Sequence, residues 1–232
     1  MVFIKNLLAA ISWYGGFGPL FRIFLEPLEL SVAYHAVGEM DPAFRHINIS
    51  FETFKKQIAY LRACGYTFHY FRDACNGDGG KRAYLYFDDG FKSIRKFVYP
   101  YLKIEKIPAT LFVTTEYIDR SGEHTYLGWE ELKEIQDVFE IGSHSMHHIK
   151  LNKFPIEEAV LEMKKSKEII EKMLGIHIVS FSYPKGRSNS ELEQKASSVG
   201  YRITTADPRL HKVRADSQDS TALFKWKTLR VW

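Results

Sequence analysis

The chain has 232 residues, 45% of them hydrophobic and 26% charged, a balance that suits one folded domain with a substantial core and excludes a disordered or fibrous protein. The formal charge of +4 is small, and lysines and arginines are spread along the chain instead of forming a block interleaved with aromatics, so no nucleic-acid partner is expected. Cys64 and Cys75 are too few for a disulfide framework and lack the spacing of a zinc knuckle.

In chain order, residues 6–21 contain no charge and include Leu7, Leu8, Ile11, Trp13, Tyr14, Phe17 and Phe21. A spanning helix needs about 20 predominantly apolar residues, and Gly15, Gly16, Gly18 and Pro19 interrupt this shorter run, so no transmembrane span is expected. No secretory cleavage pattern follows an apolar core before Trp13. Flanked by Lys5 and Arg22, the segment reads either as a membrane-interfacial element or as a helix packed on the domain. Residues 1–29 are therefore set apart from a domain over 30–232, and residues 1–25 are a candidate peripheral membrane contact. The expected location is the periphery of the inner membrane or the cytoplasm, with the periplasm or cell envelope as the alternative.

From residue 30 onward short apolar runs alternate with amphipathic stretches. The runs predict strands over 31–34, 66–69, 83–87, 109–113, 139–142, 179–182 and 201–205. Helices are predicted over 51–64, 91–105, 129–138, 156–174 and 190–199, with Ser50 as an N-cap and Gly65, Gly175 and Gly200 as stops. Alternating β and α elements imply a mostly parallel sheet, and seven strands at this length fit a closed or nearly closed barrel better than a sandwich.

The strand over 83–87 ends at Asp88, Asp89 and Gly90. Successive strand side chains point to opposite faces, so both carboxylates serve one site only if the chain turns there, which Gly90 permits by tolerating positive φ. Paired acids allow divided labour: one holds a cation while the other takes a proton from water. On this stretch alone, an Asp-Asp-Gly turn capping the next helix is the other reading. Farther on, His144 and His148 follow a strand at a four-residue spacing, which stacks two imidazoles on one side of a helical turn so that both reach one metal. Two more strands end at His35 and at the stretch of Tyr183, Pro184, Lys185 and Gly186. In an α/β barrel the carboxyl ends of the strands surround the active site, and these four ends point there together.

These motifs resemble the polysaccharide deacetylase family, carbohydrate esterase family 4, with its NodB homology domain. Phe87 to Gly90 match the Phe-Asp-Asp-Gly signature, His144, Ser145 and His148 the histidine signature, and Tyr183, Pro184 and Gly186 the third. Tyr34 to Val37, Ile107 to Val113 and Gly200 with Tyr201 are similar to the family as well, so the likeness runs from about residue 30 to the C-terminus. The resemblance implies a distorted (β/α)7 barrel and a metal-dependent hydrolase that removes acetyl groups from an N-acetylated glycan of the cell envelope or a lipid-linked amino sugar. It implies Asp89, His144 and His148 as ligands of zinc, with cobalt or nickel able to take the same set, and Asp88 as the general base. Tyr183 would offer its backbone N–H to the oxyanion, with Pro184 beside it at the substrate.

The family's usual acid, a histidine in a Leu-any-any-His motif near the C-terminus, is missing. A subgroup that resembles the exopolysaccharide N-deacetylases is circularly permuted and carries the acid after an N-terminal Tyr-His strand, which makes His35 the candidate and His211 its competitor. Ser182 stands where many members have an arginine paired with the base, and Arg187 is the substitute that the sequence offers. His147 is expected to point away. An O-deacetylase on the same fold and a catalytically silent glycan-binding module are the alternatives.

Overall fold

Short runs rich in branched and aromatic residues, buried on both faces, become the strands of one parallel sheet. The computed structural model describes residues 27–38, 42–77, 79–119 and 125–215, together with Phe224 and Thr228. The first half contains β1 (Glu29–Tyr34), β2 (Ala36–Val37), β3 (Asn48–Ile49), α1 (Phe51–Ala63), β4 (Thr67–Phe68), β5 (Arg82–Phe87), α2 (Tyr99–Glu105) and β6 (Ala109–Val113). Then come α3 (Trp129–Glu134), β7 (Phe139–Ser143), α4 (Ile156–Leu174), β8 (Ser180–Phe181), α5 (Ser190–Val199), β9 (Ile203–Thr204) and β10 (His211–Arg214).

The strand order is β10-β1-β5-β6-β7-β8-β9, every pairing parallel. β4 shares one edge of β5 with β6, pairing at Arg82 and Ala83 where β6 pairs at Tyr86 and Phe87. The expected barrel is thus a curled sheet whose two edges, β9 and β10, leave a seam. β10 is an addition to the predicted set, and so are β2 and β3, which pair in parallel with each other as a separate two-stranded sheet.

Alternation along the strands divides the interior in two. Leu30, Val32, Leu85 and Phe87 face the helices and pack with Phe54, Ile58 and Leu61 of α1. Ala33, Tyr84, Tyr86 and Phe112 face the concave side, where Phe71 joins them. Edge-to-face contacts at ring separations of 5.3–5.5 Å link Phe71, Tyr86 and Phe112 into an aromatic plug, each contact contributing about 0.5–1.5 kcal/mol beyond burial. Buried Glu140 is satisfied by three donors, the Arg72 N–H at 2.9 Å, the Thr110 hydroxyl at 3.0 Å and the Ser180 hydroxyl at 2.7 Å.

The packing here leaves no room to spare. A Cβ on Gly142 of β7 would lie 2.6 Å from the Phe112 ring and 2.7 Å from Ser180 Oγ. Gly142→Ala is expected to cost about 1–3 kcal/mol, read as a lowered thermal midpoint; an unchanged midpoint would show that the plug gives way freely.

Two helices differ from expectation. The stretch predicted over 91–105 contains one wide turn, Ile94–Val98, before α2, and the Tyr99 N–H reaches back to the Ile94 carbonyl. Pro100 accounts for the interruption, because it lacks an N–H and its ring crowds the preceding turn. α3 stops at Glu134, short of the predicted end at 138. The others keep their signals: the Thr53 N–H donates to Ser50 Oγ at 3.1 Å, and Gly175 and Gly200 close α4 and α5 in the left-handed region.

Candidate functional site

β5 delivers two adjacent carboxylates to one place because the backbone reverses at the second. The Asp88 N–H still donates to the Tyr34 carbonyl at 2.9 Å, keeping Asp88 in line with the sheet. Asp89 adopts φ 73° and Gly90 φ 85°. The turn expected at Gly90 therefore begins one residue earlier, and it cancels the strand alternation that would have sent the two side chains apart.

The histidines are brought together differently from the helical turn that their spacing suggests. No helical turn spans 144–148; instead Ser145 (φ 67°) and His148 (φ 56°) both take left-handed backbone, and the His148 N–H donates to Ser145 Oγ at 3.1 Å. The two rings end 5.0 Å apart. His144 Nδ1 lies 2.8 Å from the Ser182 carbonyl, which only accepts, so Nδ1 carries the proton and the Nε2 lone pair faces Asp89. Asp89 Oδ1 lies 3.6 Å from His144 Nε2 and 3.2 Å from His148 Nε2.

Ligand atoms of Asp89, His144 and His148 all fall within 4.8 Å of one another. Asp89 Oδ1 is buried with no hydrogen-bond partner among the described residues. Two neutral imidazoles and a carboxylate are a zinc-type donor set, and the Ser182 carbonyl orients one ligand from behind. The residues present fit the implied metal.

Electrostatics favour neutral ligands. Burial, then the neighbouring His144 and Lys185, pushes His148 down to about 3, and burial also lowers His144. Burial pushes Asp88 up to about 7, against the Ser182 hydroxyl and the Arg214 charge that favour its ionised form. Asp89 is pushed up to about 6 by burial, with His144 opposing.

A cavity of about 380 Å³ opens above this floor, and His35, Tyr183 and Pro184's neighbour Lys185 line it. His35 Nδ1 is buried without a hydrogen-bond partner among the described residues. Burial first, then Arg214, His144, His148 and Lys185, holds His35 well below the ordinary histidine value. His211 opens β10 opposite Leu30, away from the carboxyl ends of the strands, and is not part of the wall. Tyr183 is buried, and its N–H donates to Thr205 Oγ1 at 3.2 Å, so an oxyanion there would have to displace that contact. Pro184 is buried at the start of the turn that projects Lys185. His147 points away as expected, with Nδ1 2.5 Å from Glu162.

Sequence reasoning missed Arg214. It was hidden in β10, where Lys212 and Arg214 alternate with buried Val213, a four-residue strand too short and too charged to stand out. Arg214 lies in register with Ala33, and Ala33 with Tyr86, so the small alanine leaves the concave face open between the guanidinium and the end of β5. Arg187, the expected substitute for the missing arginine, lies elsewhere beside Lys150 and Asn152.

Comparison with known proteins follows the same outline. Residues 76–204 match the family model described as "Polysaccharide deacetylase". The Bacillus subtilis protein YxkH, whose name assigns it provisionally as a polysaccharide deacetylase, is 31% identical over 150 residues, 60% of this chain and 53% of that one. A Staphylococcus aureus poly-β-1,6-N-acetyl-D-glucosamine N-deacetylase is 27% identical over 164 residues, 63% of this chain and 57% of its own length. The chain thus spans little more than half the length of these curated relatives. Among solved structures, the Streptococcus pyogenes deacetylase PplD superposes with a TM-score of 0.73 at 24% identity, covering 87% of this chain and 99% of that one. IcaB from Ammonifex degensii does so with 0.68 at 21%, covering 86% and 94%. At these identities the structures speak for the fold alone.

Proposed function

The chain belongs to the polysaccharide deacetylase family, and on that footing we propose that it hydrolyses the N-acetyl group of an amino sugar in a glycan or lipid-linked saccharide, releasing acetate and a free amine. The observation that carries this reading is the cluster of buried Asp89 and His144 with half-buried His148, and a second carboxylate, Asp88, beside it and outside the ligand set. The name of the Staphylococcus aureus relative supports an amide of an amino sugar as the bond cleaved.

Zinc, or cobalt or nickel in its place, would be held by Asp89 Oδ1, His144 Nε2 and His148 Nε2; when bound, such an ion lowers the pKa of a water and polarises a carbonyl. Asp88 takes the proton of the attacking water, and Ser182 and Arg214 favour the ionised form it needs. His35, neutral at rest because of burial and surrounding positive charge, is set to pick up a proton during attack and deliver it to the departing nitrogen. Tyr183 lines the wall where the acetyl group would lie, Pro184 is buried behind it at the start of the turn, and the aromatic plug fills the concave face beneath.

The intact ligand set speaks against the silent binding module. Esters yield to the same chemistry, so the test is acetate release from matched N-acetyl and O-acetyl glucosides by the zinc-loaded protein. The amide is expected to be the better substrate by kcat/KM; a strong preference for the ester would replace this reading with the O-deacetylase.

Zinc binding should depend on pH through Asp89. With its carboxyl at about 6, a proton competes for Oδ1 below that pH, while the histidine ligands, held low, stay neutral. Zinc affinity, measured by competition with a chelating dye, is expected to be flat from pH 8 to 6.5 and to weaken up to about tenfold per unit below about 6. A steady decline from pH 8 downward would place an ordinary histidine titration in control instead.

Residues 30–232 form the proposed catalytic domain. The interfacial segment falls mostly on residues 1–26, outside the described residues, and its membrane contact stays a proposal for liposome sedimentation with and without residues 1–25. Among the described residues no helix is long and apolar enough to cross a membrane.

A further inference from the structure

The charge of the cavity changes sign from floor to mouth. Its carboxylates, Asp88 and Asp89, are both buried at the floor and committed to the chemistry proposed above. Besides the exposed imidazole of His46, the exposed ionisable groups that line it are cations: Lys185 on the turn after β8, and Lys212 and Arg214 on β10. These stand on opposite banks of the seam, because β8 continues to the edge strand β9 while β10 is the other edge.

Lys185 is the most telling of the three. It holds left-handed backbone, φ 61°, and among the described residues it forms no ion pair. It lines the same cavity as His35, Asp89, His144 and His148, and it is exposed there. Across the seam, the charges of Glu193 and Asp207 partly offset Lys212, but neither lines the cavity.

A cationic mouth suits some products and not others. Each deacetylation creates an ammonium group, so a neutral polymer becomes a polycation that these three side chains repel. A sugar that carries its own negative charge is attracted before the reaction and remains compensated after it.

We propose that the acetamido sugar bound here carries a phosphoryl group, which sits at the mouth of the seam between Lys185 on one bank and Lys212 and Arg214 on the other. The inference rests on the deacetylase reading and adds the substrate class. An N-acetylglucosamine 1-phosphate presents this group as glycosyl phosphates do, and the 6-phosphate presents it as a phosphorylated glycan does.

The test compares acetate release by the zinc-loaded full chain from three sugars: the 1-phosphate, the 6-phosphate and the neutral methyl glycoside of N-acetylglucosamine. One phosphate isomer is expected to exceed the neutral sugar at least tenfold in kcat/KM, mainly through KM, and the better isomer identifies the source. Raising salt from 0.05 to 0.5 M should erode that advantage by screening and leave the neutral sugar little changed. Lys185→Gln, and independently Lys212→Gln, should each pull the phosphate-to-neutral ratio toward one. A neutral sugar turned over as well as both phosphates, or a ratio indifferent to salt and to both variants, overturns the phosphoryl inference while leaving the deacetylase reading in place. No acetate from any of the three, nor from N-acetylglucosamine oligomers, overturns both.

Discussion

Asp88→Asn is expected to keep its zinc and lose acetate release by about 10²–10⁴-fold, the range that a positioned general base supplies. The asparagine preserves shape but has no basic oxygen, and Asp88 lies outside the ligand cluster, 3.8 Å from His144 Nδ1 on the side turned away from the metal-facing nitrogen. Asp89→Asn and His144→Ala should instead lose zinc and activity together, because each removes one of three ligands. Zinc per chain by atomic absorption, alongside acetate release and a circular dichroism check of folding, separates the two classes. Equal metal loss in all three variants would undo the division of roles between the adjacent aspartates.

The second large effect belongs to His35. His35→Ala should lower kcat on an N-acetyl sugar by about 10²-fold or more, with KM changed far less, since the imidazole acts on the departing amine and not on ground-state binding. The loss should shrink on an acetyl ester of a phenol, whose leaving group departs without a proton. His211→Ala should stay near wild type on both, given its place opposite Leu30 at the start of β10. An equal loss on amide and phenyl ester would assign His35 to shaping the cavity and not to proton delivery.

Much of this site could be read from residue order because its chemistry sits at strand ends. Asp88, Asp89, His144, His148 and Tyr183 each follow an apolar run that could hardly be anything but a buried strand, and the structure brings all five to one cavity. How they meet was less legible. The four-residue histidine spacing suggested a helical turn, whereas Ser145 and His148 achieve the same approach through left-handed backbone, a conformation that non-glycine side chains do not announce. The reversal at Asp89 is hidden for the same reason: glycine is the usual signal and points to Gly90, whereas the residue before it turns first.

The short, charged elements were the ones lost. Strand β10 offers only Val213 as a buried apolar signal between Lys212 and Arg214, and its partner β1 lies 180 positions away for the Ser31 to His211 contact, so nothing local reveals the pairing. With it went Arg214, the charge that favours ionised Asp88 where Ser182 replaces the family's arginine. The wide turn before Tyr99 was similarly hidden, since Pro100 near a helix start is ordinary and only the helical hydrogen bonding upstream shows the adjustment.

The central claim is that Asp89, His144 and His148 hold a metal on which deacetylation depends. It is tested most directly by acetate release from a defined N-acetylglucosamine oligomer or phosphate, measured on zinc-loaded protein, after removal of zinc by chelation, and after zinc is restored. The account predicts one zinc per chain, release abolished on stripping and recovered on reloading. Undiminished release from the zinc-free protein would contradict it.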